Sequence, residues 1–310
     1  MTADLDPQLQ AVLDATTVPP WDTLSVDGAR ELHRDLRIDD PDEREPVGNV
    51  RDLRIEEDGR EVPVRVYTPE GSGPFPIIVY YHGGGWVLGD VDTHDSIGRA
   101  LTNATDRIVV SVDYRRAPEH SFPTPVLDAW AATRWVADWA ETLGGDPDRI
   151  TVAGDSAGGA LAAAMTLLAR DTGRATPSIQ NQVLVYPVTD YRLEDADSYT
   201  DPEIQALSAT KQQFWYKDHY TPTVVDRRHP YAYPLQASTL EDLPPALVLT
   251  CEYDELLDEG VAYAERLDAA GVAVDRIHYD DLTHGFFTHQ NALDRARDAT
   301  DAIADWLGMS

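Results

Sequence analysis

Short apolar runs alternate with longer stretches of helix-forming residues along most of the chain. From residue 76 onward these runs are almost continuous in valine, isoleucine and leucine. They cover residues 76–80, 108–112, 150–153, 183–186, 246–249 and 276–279. Strands of this kind are typical of a parallel sheet that helices cover on both faces. The pattern therefore predicts an α/β fold.

The beginning of the chain follows a different pattern. Residues 1–45 contain no strand-like run, and apolar side chains recur at helical spacing around Leu9 and again over residues 29–36. Further on, apolar and polar positions alternate on both sides of an Asp-Gly turn at 58–59, which is typical of a β-hairpin. We therefore expect a helical segment over residues 1–45, followed by the α/β domain over residues 46–310.

One long interval interrupts the alternation of strands and helices. About sixty residues separate the strand-like run that ends near Tyr186 from the run that starts at Ala246. They are rich in Asp, Tyr, Gln and Pro, and a structureless loop of this length is improbable in a folded domain. We expect an insertion at about 190–240 that folds over a site.

Composition limits where the protein can work. The chain of 310 residues is 42% hydrophobic, which is ample for a large core, and none of its apolar runs approaches the length of a membrane span. The N-terminus is acidic and does not resemble a signal peptide. Because Cys251 is the single cysteine, an internal disulfide is impossible. We therefore expect a cytoplasmic protein.

The charge is strongly negative and spread over the whole chain. Fifty-five acidic residues face 25 basic ones, giving a net charge of −30, and lysine occurs only at Lys211 and Lys217. Nucleic acid and anionic membranes would repel such a surface. Self-repulsion also acts over ~30 Å at 0.01 M salt but only over ~3 Å at 1 M. This balance resembles that of haloarchaeal proteins and predicts a salt-rich cytoplasm; an ordinary acidic enzyme is the alternative.

One hydroxyl lies between small residues in the motif Gly-Asp-Ser-Ala-Gly at 154–158. A strand-like run precedes this motif, and alanine-rich helix-forming residues follow it. Small residues let the two elements approach closely. The motif fits the G-x-S-x-G nucleophile elbow, which requires a strand before it and a helix after it. The pattern predicts Ser156 as a nucleophile, with a sharp structural loop as the alternative.

A second motif, His82 followed by three glycines and Trp86, comes directly after the strand-like run at 76–80. A tetrahedral intermediate needs backbone N–H groups that point at its oxyanion, and glycines let the main chain approach closely. We expect the amides of Gly83, Gly84 and Ala157 to be these donors. A flexible glycine turn is the alternative.

Two further residues complete the predicted chemistry. Asp254 and His284 each follow a later strand-like run, and the carboxyl ends of parallel strands meet at one edge of a sheet. The chain order Ser, Asp, His is also the order in which the three residues follow one another in enzymes with this nucleophile elbow. We expect Ser156 to attack an acyl carbon, His284 to relay the proton and Asp254 to stabilise the imidazolium. Asp258 is the rival for the acid.

The other polar residues suggest no further chemistry. Asp90, Asp92, His94 and Asp95 form a polar cluster, which we interpret as a solvated acidic face because nothing else supplies a ligand set. We therefore expect no metal site. Asp155 is expected to be a structural hydrogen-bond acceptor. His82 is expected to be a hydrogen-bond partner that organises its turn. Six other histidines are expected to be structural or on the surface: His94, His120, His219, His229, His278 and His289.

Together these motifs resemble the hormone-sensitive-lipase-like family of α/β hydrolases, bacterial and archaeal carboxylesterases above all. The resemblance runs from about residue 45 to the C-terminus and rests on the motifs at 82–86, 113–120, 154–159, 186–187, 252–260 and 284–286. It implies an α/β-hydrolase fold with an eight-stranded, mostly parallel sheet and no cofactor. It also implies a helical cap built from the N-terminal segment and the insertion, and Ser156, Asp254 and His284 as the triad.

The expected activity is hydrolysis of small esters with short to medium acyl chains through an acyl-enzyme intermediate. Trp86, Phe214, Trp215 and Phe286 are expected to line an apolar pocket beneath the cap. An amidase or peptidase could use the same triad. A ligand-binding receptor of this fold would be expected to have lost the nucleophile or the base. A homodimer through the edge of the last strand is a further prediction, by analogy with the fold alone.

Overall fold

The computed structural model describes residues 4–16, 18–38, 40–173, 177–192, 196–207 and 211–309, and eight of its segments form one sheet. The strands are β1 (Asn49–Glu57), β2 (Arg60–Thr68), β3 (Phe75–Tyr81), β4 (Ile108–Val112), β5 (Gly145–Asp155), β6 (Ile179–Val185), β7 (Ala246–Tyr253) and β8 (Val274–Thr283). Their spatial order is β1-β2-β4-β3-β5-β6-β7-β8. The β1–β2 hairpin and the β2–β4 pair are antiparallel, and all the other pairs are parallel. The predicted eight-stranded, mostly parallel sheet is confirmed.

Helices connect the strands, and further helices lie in the N-terminal segment before β1 and in the insertion between β6 and β7. Among the described residues they are α1 (Pro7–Ala15), α2 (Val26–Arg37), α3 (Asp95–Thr105), α4 (Thr124–Leu143), α5 (Ala157–Thr172), α6 (Asp197–Thr200), α7 (Pro202–Leu207), α8 (Lys211–Tyr220), α9 (Leu257–Ala269) and α10 (Asp294–Met309). Among the helices that the structure describes, none combines the length and the apolar character that are needed to cross a membrane.

The sheet is buried on both faces because successive strand residues point in opposite directions. In β3, Ile77 and Val79 enter the core that α4 and α5 cover. Ile78 and Tyr80 enter the second core, which α3 and α10 cover. Burying a side chain of this size stabilises the fold by about 1.5–3 kcal/mol relative to leaving it in water. This explains the almost continuous apolar runs.

Helix α2 is attached to the loops at the carboxyl ends of the strands. It begins at Val26, where the Ser25 hydroxyl accepts a hydrogen bond from the Gly28 amide at 3.1 Å. Further along the helix, Arg30 donates to the carbonyls of Val87 and Ala117 at 2.9 and 2.8 Å. These bonds hold the N-terminal segment beside the loop that follows β3.

The insertion between β6 and β7 contains α6, α7 and α8. Its predicted extent of about 190–240 includes residues 193–195 and 208–210, which lie outside the described residues. In α8 the buried Lys217 ammonium donates to the Asp190 carbonyl at 2.8 Å and lies 3.6 Å from the Glu259 carboxylate in α9. The insertion is thereby held against the sheet domain.

The acidic cluster at 90–95 is not the solvated face that we expected. Asp90 and Asp95 are only 4% and 3% exposed. Asp95 accepts hydrogen bonds from Arg99 at 2.6 Å and from Arg65 at 3.2 Å, and Asp90 pairs with Arg34. Charge-assisted bonds of this kind offset the cost of removing the carboxylates from water. Within the described ranges, no group of three or more His, Cys, Asp or Glu side chains is arranged to hold a metal ion.

Candidate active site

Ser156 lies in the tight turn between β5 and α5. Its φ of 54° is in a region that non-glycine residues rarely adopt, which costs about 1–3 kcal/mol and is common at active sites. The Ser156 amide donates to the Val185 carbonyl at 2.9 Å, which helps to hold this conformation. A Cβ on Gly158 would collide with the Tyr81 carbonyl, so only glycine permits the close approach of α5 to β3. The turn therefore has the geometry of a nucleophile elbow.

A chain of hydrogen bonds joins the three side chains that the sequence predicts as the triad. The Ser156 hydroxyl lies 3.0 Å from His284 Nε2, and His284 Nδ1 lies 2.9 Å from Asp254 Oδ2. The other Asp254 oxygen accepts from the Leu256 amide at 2.8 Å, which orients the carboxylate. Both distances to the imidazole are within the range that proton transfer needs.

The charges around His284 favour its protonated form. Burial acts to lower the pKa of His284, but the charge of Asp254 and its hydrogen bond outweigh this effect and raise the pKa to about 9. Asp254 is itself only 1% exposed, so its interaction with the imidazolium is weakly screened by water. The site is therefore built to stabilise positive charge on His284.

Asp258, the rival acid, has a different partner. Its carboxylate accepts a hydrogen bond from the Ser198 amide at 3.0 Å and so joins α6 to α9. The structure brings Asp254 to His284 and leaves Asp258 in contact with the insertion.

The expected oxyanion donors need one correction. The Gly83 amide donates to Asp155 Oδ1 at 2.9 Å and is therefore not available to a substrate. The expectation for Gly83 is wrong, because the Asp155 carboxylate at the end of β5 reaches across to the loop after β3. The same oxygen accepts from the Tyr80 hydroxyl at 2.7 Å, as expected of a structural acceptor.

Gly84 and the next glycine in the motif, Gly85, line the cavity in front of Ser156. Their φ angles of +107° and +60° suit glycine. Among the residues that the structure describes, no hydrogen-bond acceptor engages either amide. Ala157 is the first residue of α5, where a helix leaves amides without intrahelical acceptors. The amides of Gly84, Gly85 and Ala157 are thus the candidate donors.

The cavity has a volume of about 170 Å³. It is lined by Trp21, His33, Arg37, Gly84, Gly85, His94, Asp155, Ser156, Gln213, Tyr216, His284, Gly285 and Thr288. Both the N-terminal segment and the insertion contribute to this wall. His94, expected to be structural or on the surface, is buried here, with Nε2 3.6 Å from Asp155 Oδ1.

Two of the four expected pocket aromatics are buried behind the cavity and do not line it. Trp86 is fully buried and stacks on Tyr220 with ring centroids 3.9 Å apart. Phe286 is also fully buried, with its ring 5.4 Å from that of Tyr186. Both expectations are wrong, because these rings fill gaps in the protein core and thereby support the loops that carry the site.

The other two expected aromatics lie on the correct helix but not on its cavity face. In α8 the cavity is lined by Gln213 and Tyr216, which are one helical turn apart. The Phe214 ring lies 5.6 Å from that of Tyr199, and the Trp215 ring lies 4.7 Å from that of His219. The rotation of α8 about its axis is set by tertiary packing, and neither ring lines the cavity.

Sequence reasoning missed several residues of the cavity wall, and three of them come from the N-terminal segment. Because α2 packs beside the cavity, its wall includes Trp21, His33 and Arg37. Arg37 Nη1 contacts the hydroxyl of Thr288, a residue near the other end of the chain. No local pattern in residues 1–45 identifies these side chains, although the segment itself was predicted to cover a site.

Comparison with known proteins agrees with this geometry. The family described as alpha/beta hydrolase fold matches residues 78–288. A carboxylesterase of Mycobacterium tuberculosis (NlhH) is 40% identical over 309 residues, covering 96% of this chain and 93% of its own. An arylesterase of Saccharolobus solfataricus is 37% identical, with 78% of each chain covered.

A solved structure is also closely similar. The hyperthermophilic esterase from the archaeon Pyrobaculum calidifontis superposes with a TM-score of 0.90 at 39% identity, covering 100% of this chain and 99% of its own. The likeness therefore extends over the helices outside the sheet as well as over the sheet itself. The chain is an enzyme of the α/β-hydrolase family and belongs to its hormone-sensitive-lipase-like branch, which contains carboxylesterases.

Proposed function

We propose that the protein is a serine carboxylesterase that hydrolyses small esters with short to medium acyl chains. The hydrogen-bonded chain from Ser156 through His284 to Asp254 carries this proposal. The cavity of about 170 Å³ supports a small substrate, since sites for drug-sized ligands are typically ~300–1,000 Å³.

In the first half of the reaction, Ser156 Oγ attacks the ester carbonyl carbon while its proton passes to His284 Nε2. The carbonyl oxygen becomes an oxyanion, which accepts hydrogen bonds from the amides of Gly84, Gly85 and Ala157. His284 then gives its proton to the departing alcohol as the carbon–oxygen bond breaks. The acyl group remains on Ser156.

In the second half, water attacks the acyl-enzyme while His284 Nε2 takes a proton from it. The second tetrahedral intermediate collapses, the proton returns to Ser156 Oγ, and the carboxylic acid leaves. Asp254 stays ionised throughout, because its function is to hold the imidazole and to stabilise the imidazolium.

Two other functions remain as alternatives. An amidase or peptidase would use the same triad, but the names of the relatives, carboxylesterase and arylesterase, favour an ester. A ligand-binding receptor has no need of a hydroxyl within 3.0 Å of an imidazole on a strained turn.

Hydrolysis of p-nitrophenyl esters from acetate to laurate in molar salt tests the proposed substrate class. We expect kcat/KM to be highest for short or medium acyl chains and to fall by about tenfold or more for the longest, because chain atoms that the cavity cannot seat lose their binding energy. p-Nitroacetanilide is the matched amide control. Hydrolysis of the anilide as fast as the acetate ester would favour the amidase, and a folded enzyme without ester turnover would contradict the proposal.

We also propose that the enzyme is adapted to a salt-rich cytoplasm. Its net charge of −30 supports this, since repulsion among the acidic residues is screened only at high ionic strength. Dialysis from molar to millimolar salt should unfold or inactivate the enzyme, and return to molar salt should restore it. Circular dichroism and esterase activity measure both steps. A spectrum and activity that do not change between the two conditions would contradict salt adaptation.

The organisation and assembly of the chain are further parts of the proposal. We assign the cap to residues 1–45 and to the insertion at about 190–240, and the catalytic domain to residues 46–310. Strand β8 forms one edge of the sheet, so a homodimer through this edge stays a prediction. The cytoplasmic location likewise stays a prediction that rests on composition.

A further inference from the structure

Arg37, the last residue of α2, forms part of the cavity wall. Its Nη1 contacts the Thr288 hydroxyl and lies 2.9 Å from His289 Nε2. Its Nη2 lies 3.9 Å from the position that a Cβ on Gly285 would occupy, directly after His284. Among the described residues, no acceptor engages Nε or Nη2 of this guanidinium. Within the described part of the chain, a two-donor edge therefore has no acceptor beside the triad histidine.

The two other arginines on the same face of α2 have carboxylate partners. Arg30 Nη2 lies 2.7 Å from Glu119, and Arg34 Nη2 lies 2.8 Å from Asp92. Within the described ranges, Arg37 has no carboxylate within 4.0 Å. Acidic residues outnumber basic ones by 55 to 25, so potential partners are abundant in this chain. A cation in the cavity wall without a carboxylate partner among the described residues is therefore a specific feature of this position.

The groups around Arg37 compensate its charge only in part. Burial, and secondarily the charge of Arg37, lowers the pKa of His289 to about 3 and holds the pKa of His33 well below its usual value. Both imidazoles are therefore neutral at physiological pH. Burial lowers the pKa of Arg37, and the charge of Asp155, which shares the cavity, acts against this shift. Asp155 is nevertheless no ion-pair partner, because it lies more than 4.0 Å from Arg37 and one of its oxygens already accepts from Tyr80 and from the Gly83 amide. Arg37 keeps its charge, because a guanidinium does not lose its proton in proteins.

We propose that the Nε–Nη2 edge of Arg37 binds a carboxylate carried by the ester substrate. This inference rests on the proposed esterase function and specifies its substrate class as esters that also bear a free carboxylate. A planar guanidinium binds a carboxylate through two parallel hydrogen bonds, which fixes orientation as well as adding binding energy. The bound carboxylate would also compensate the desolvation of Arg37. Arg37 acts here as a specificity residue and takes no part in bond breaking.

The contact must act at short range. A net charge of −30 repels anionic substrates at a distance, so the long-range field of the protein opposes this preference. In molar salt the screening length falls to ~3 Å, which suppresses the field but leaves a direct ion pair in the cavity largely intact. The test is therefore made in molar salt.

The experiment compares each anionic ester with its neutral amide isostere. Monoethyl glutarate and ethyl glutaramate place the carboxylate or its amide on the acyl side, and 4-acetoxybenzoate and 4-acetoxybenzamide place it on the alcohol side. Hydrolysis is followed by pH-stat titration. The quantity compared is the ratio of kcat/KM for the anionic ester to kcat/KM for the amide, in the wild type and in each variant.

Arg37→Gln should lower this ratio by about 10- to 100-fold for one of the two pairs, mainly through KM of the anionic ester, because charge-assisted hydrogen bonds are lost. Arg37→Lys should keep part of the preference, since lysine retains the charge without the fork. Arg34→Gln is the matched control, as it removes a cation one turn earlier in α2, and it should leave the ratio unchanged.

An equal ratio in the wild type and Arg37→Gln for both pairs would overturn the inference. If Arg37→Gln does not fold, the same comparison with Arg37→Lys decides, and an unchanged ratio there contradicts two-donor binding. Failure of the proposed function looks different: neutral esters would then be hydrolysed without Ser156. If the turnover of neutral esters depends on Ser156 but substitution of Arg37 has no effect on the ratio, the inference about Arg37 is contradicted and the proposed esterase function is not.

Discussion

Replacing Ser156 with alanine should lower kcat for a short-chain ester by about a million-fold, because in the proposed mechanism the nucleophile and its base act as one unit. The Ser156 hydroxyl lies 3.0 Å from His284 Nε2, and no acyl-enzyme can form without it. The fold should survive, since the substitution removes a single oxygen from a turn held by main-chain bonds to Val185 and Val188. Stopped-flow hydrolysis and thermal unfolding measure the two effects.

A second buried serine provides the control. Ser111 in β4 is 1% exposed, and its hydroxyl has no hydrogen-bond partner among the described residues. Ser111→Ala makes the same chemical change outside the cavity and should leave kcat unchanged. Activity in Ser156→Ala comparable to that of Ser111→Ala would remove Ser156 from the mechanism and, with it, the esterase proposal.

Asp254→Asn should lower kcat by about 10⁴-fold, since an amide favours the wrong imidazole tautomer and cannot stabilise the imidazolium. Asp258→Asn is the matched substitution four residues later. It should change kcat by only a few-fold, because the Asp258 carboxylate contacts the Ser198 amide and not His284. Steady-state kinetics on one ester ranks the two variants. The reverse ranking would assign the acid to Asp258.

The same pair of variants tests the electrostatics of His284. In the proposed mechanism neutral His284 is the base, so kcat/KM of the wild-type enzyme should rise with pH through about 9. Asp254→Asn removes the charge that raises this pKa, and the rise should move to lower pH. Asp258→Asn should leave it in place. A rise at the same pH in all three proteins would contradict the proposed role of Asp254.

The raised pKa of His284 also predicts how stability depends on pH. Because the folded pKa of about 9 lies above the ordinary 6.5, protonation of His284 stabilises the fold fully below about pH 6.5. This contribution is lost as the pH rises through about 9. Denaturant unfolding should show the decline in the wild type and a smaller one in Asp254→Asn. In the proposed mechanism the enzyme thus gains its base over the same pH range in which it loses this stabilisation.

Local patterns in the chain were sufficient to predict the sheet and the three residues of the proposed triad. Burial on both faces produces continuous apolar runs, which is why the parallel strands could be recognised from the pattern of apolar residues along the chain. The turn at Ser156 could be recognised because close packing there excludes side chains larger than hydrogen at Gly158. Strand ends of a parallel sheet meet at one edge, and this placed Asp254 and His284 near the elbow.

The directions of side chains around the cavity depended on contacts between residues that are distant in sequence. Asp155 engages Gly83 from a neighbouring strand, which moves the candidate oxyanion donors one glycine further along. Trp86 turns inward to stack on Tyr220. Arg37 lies in the cavity wall because α2 packs beside the cavity and the Thr288 hydroxyl contacts the guanidinium. A local motif reflects the backbone conformation and the close contacts that its own positions require. The cavity is formed by side chains from segments that are distant in sequence, so no local motif predicts which of them line it.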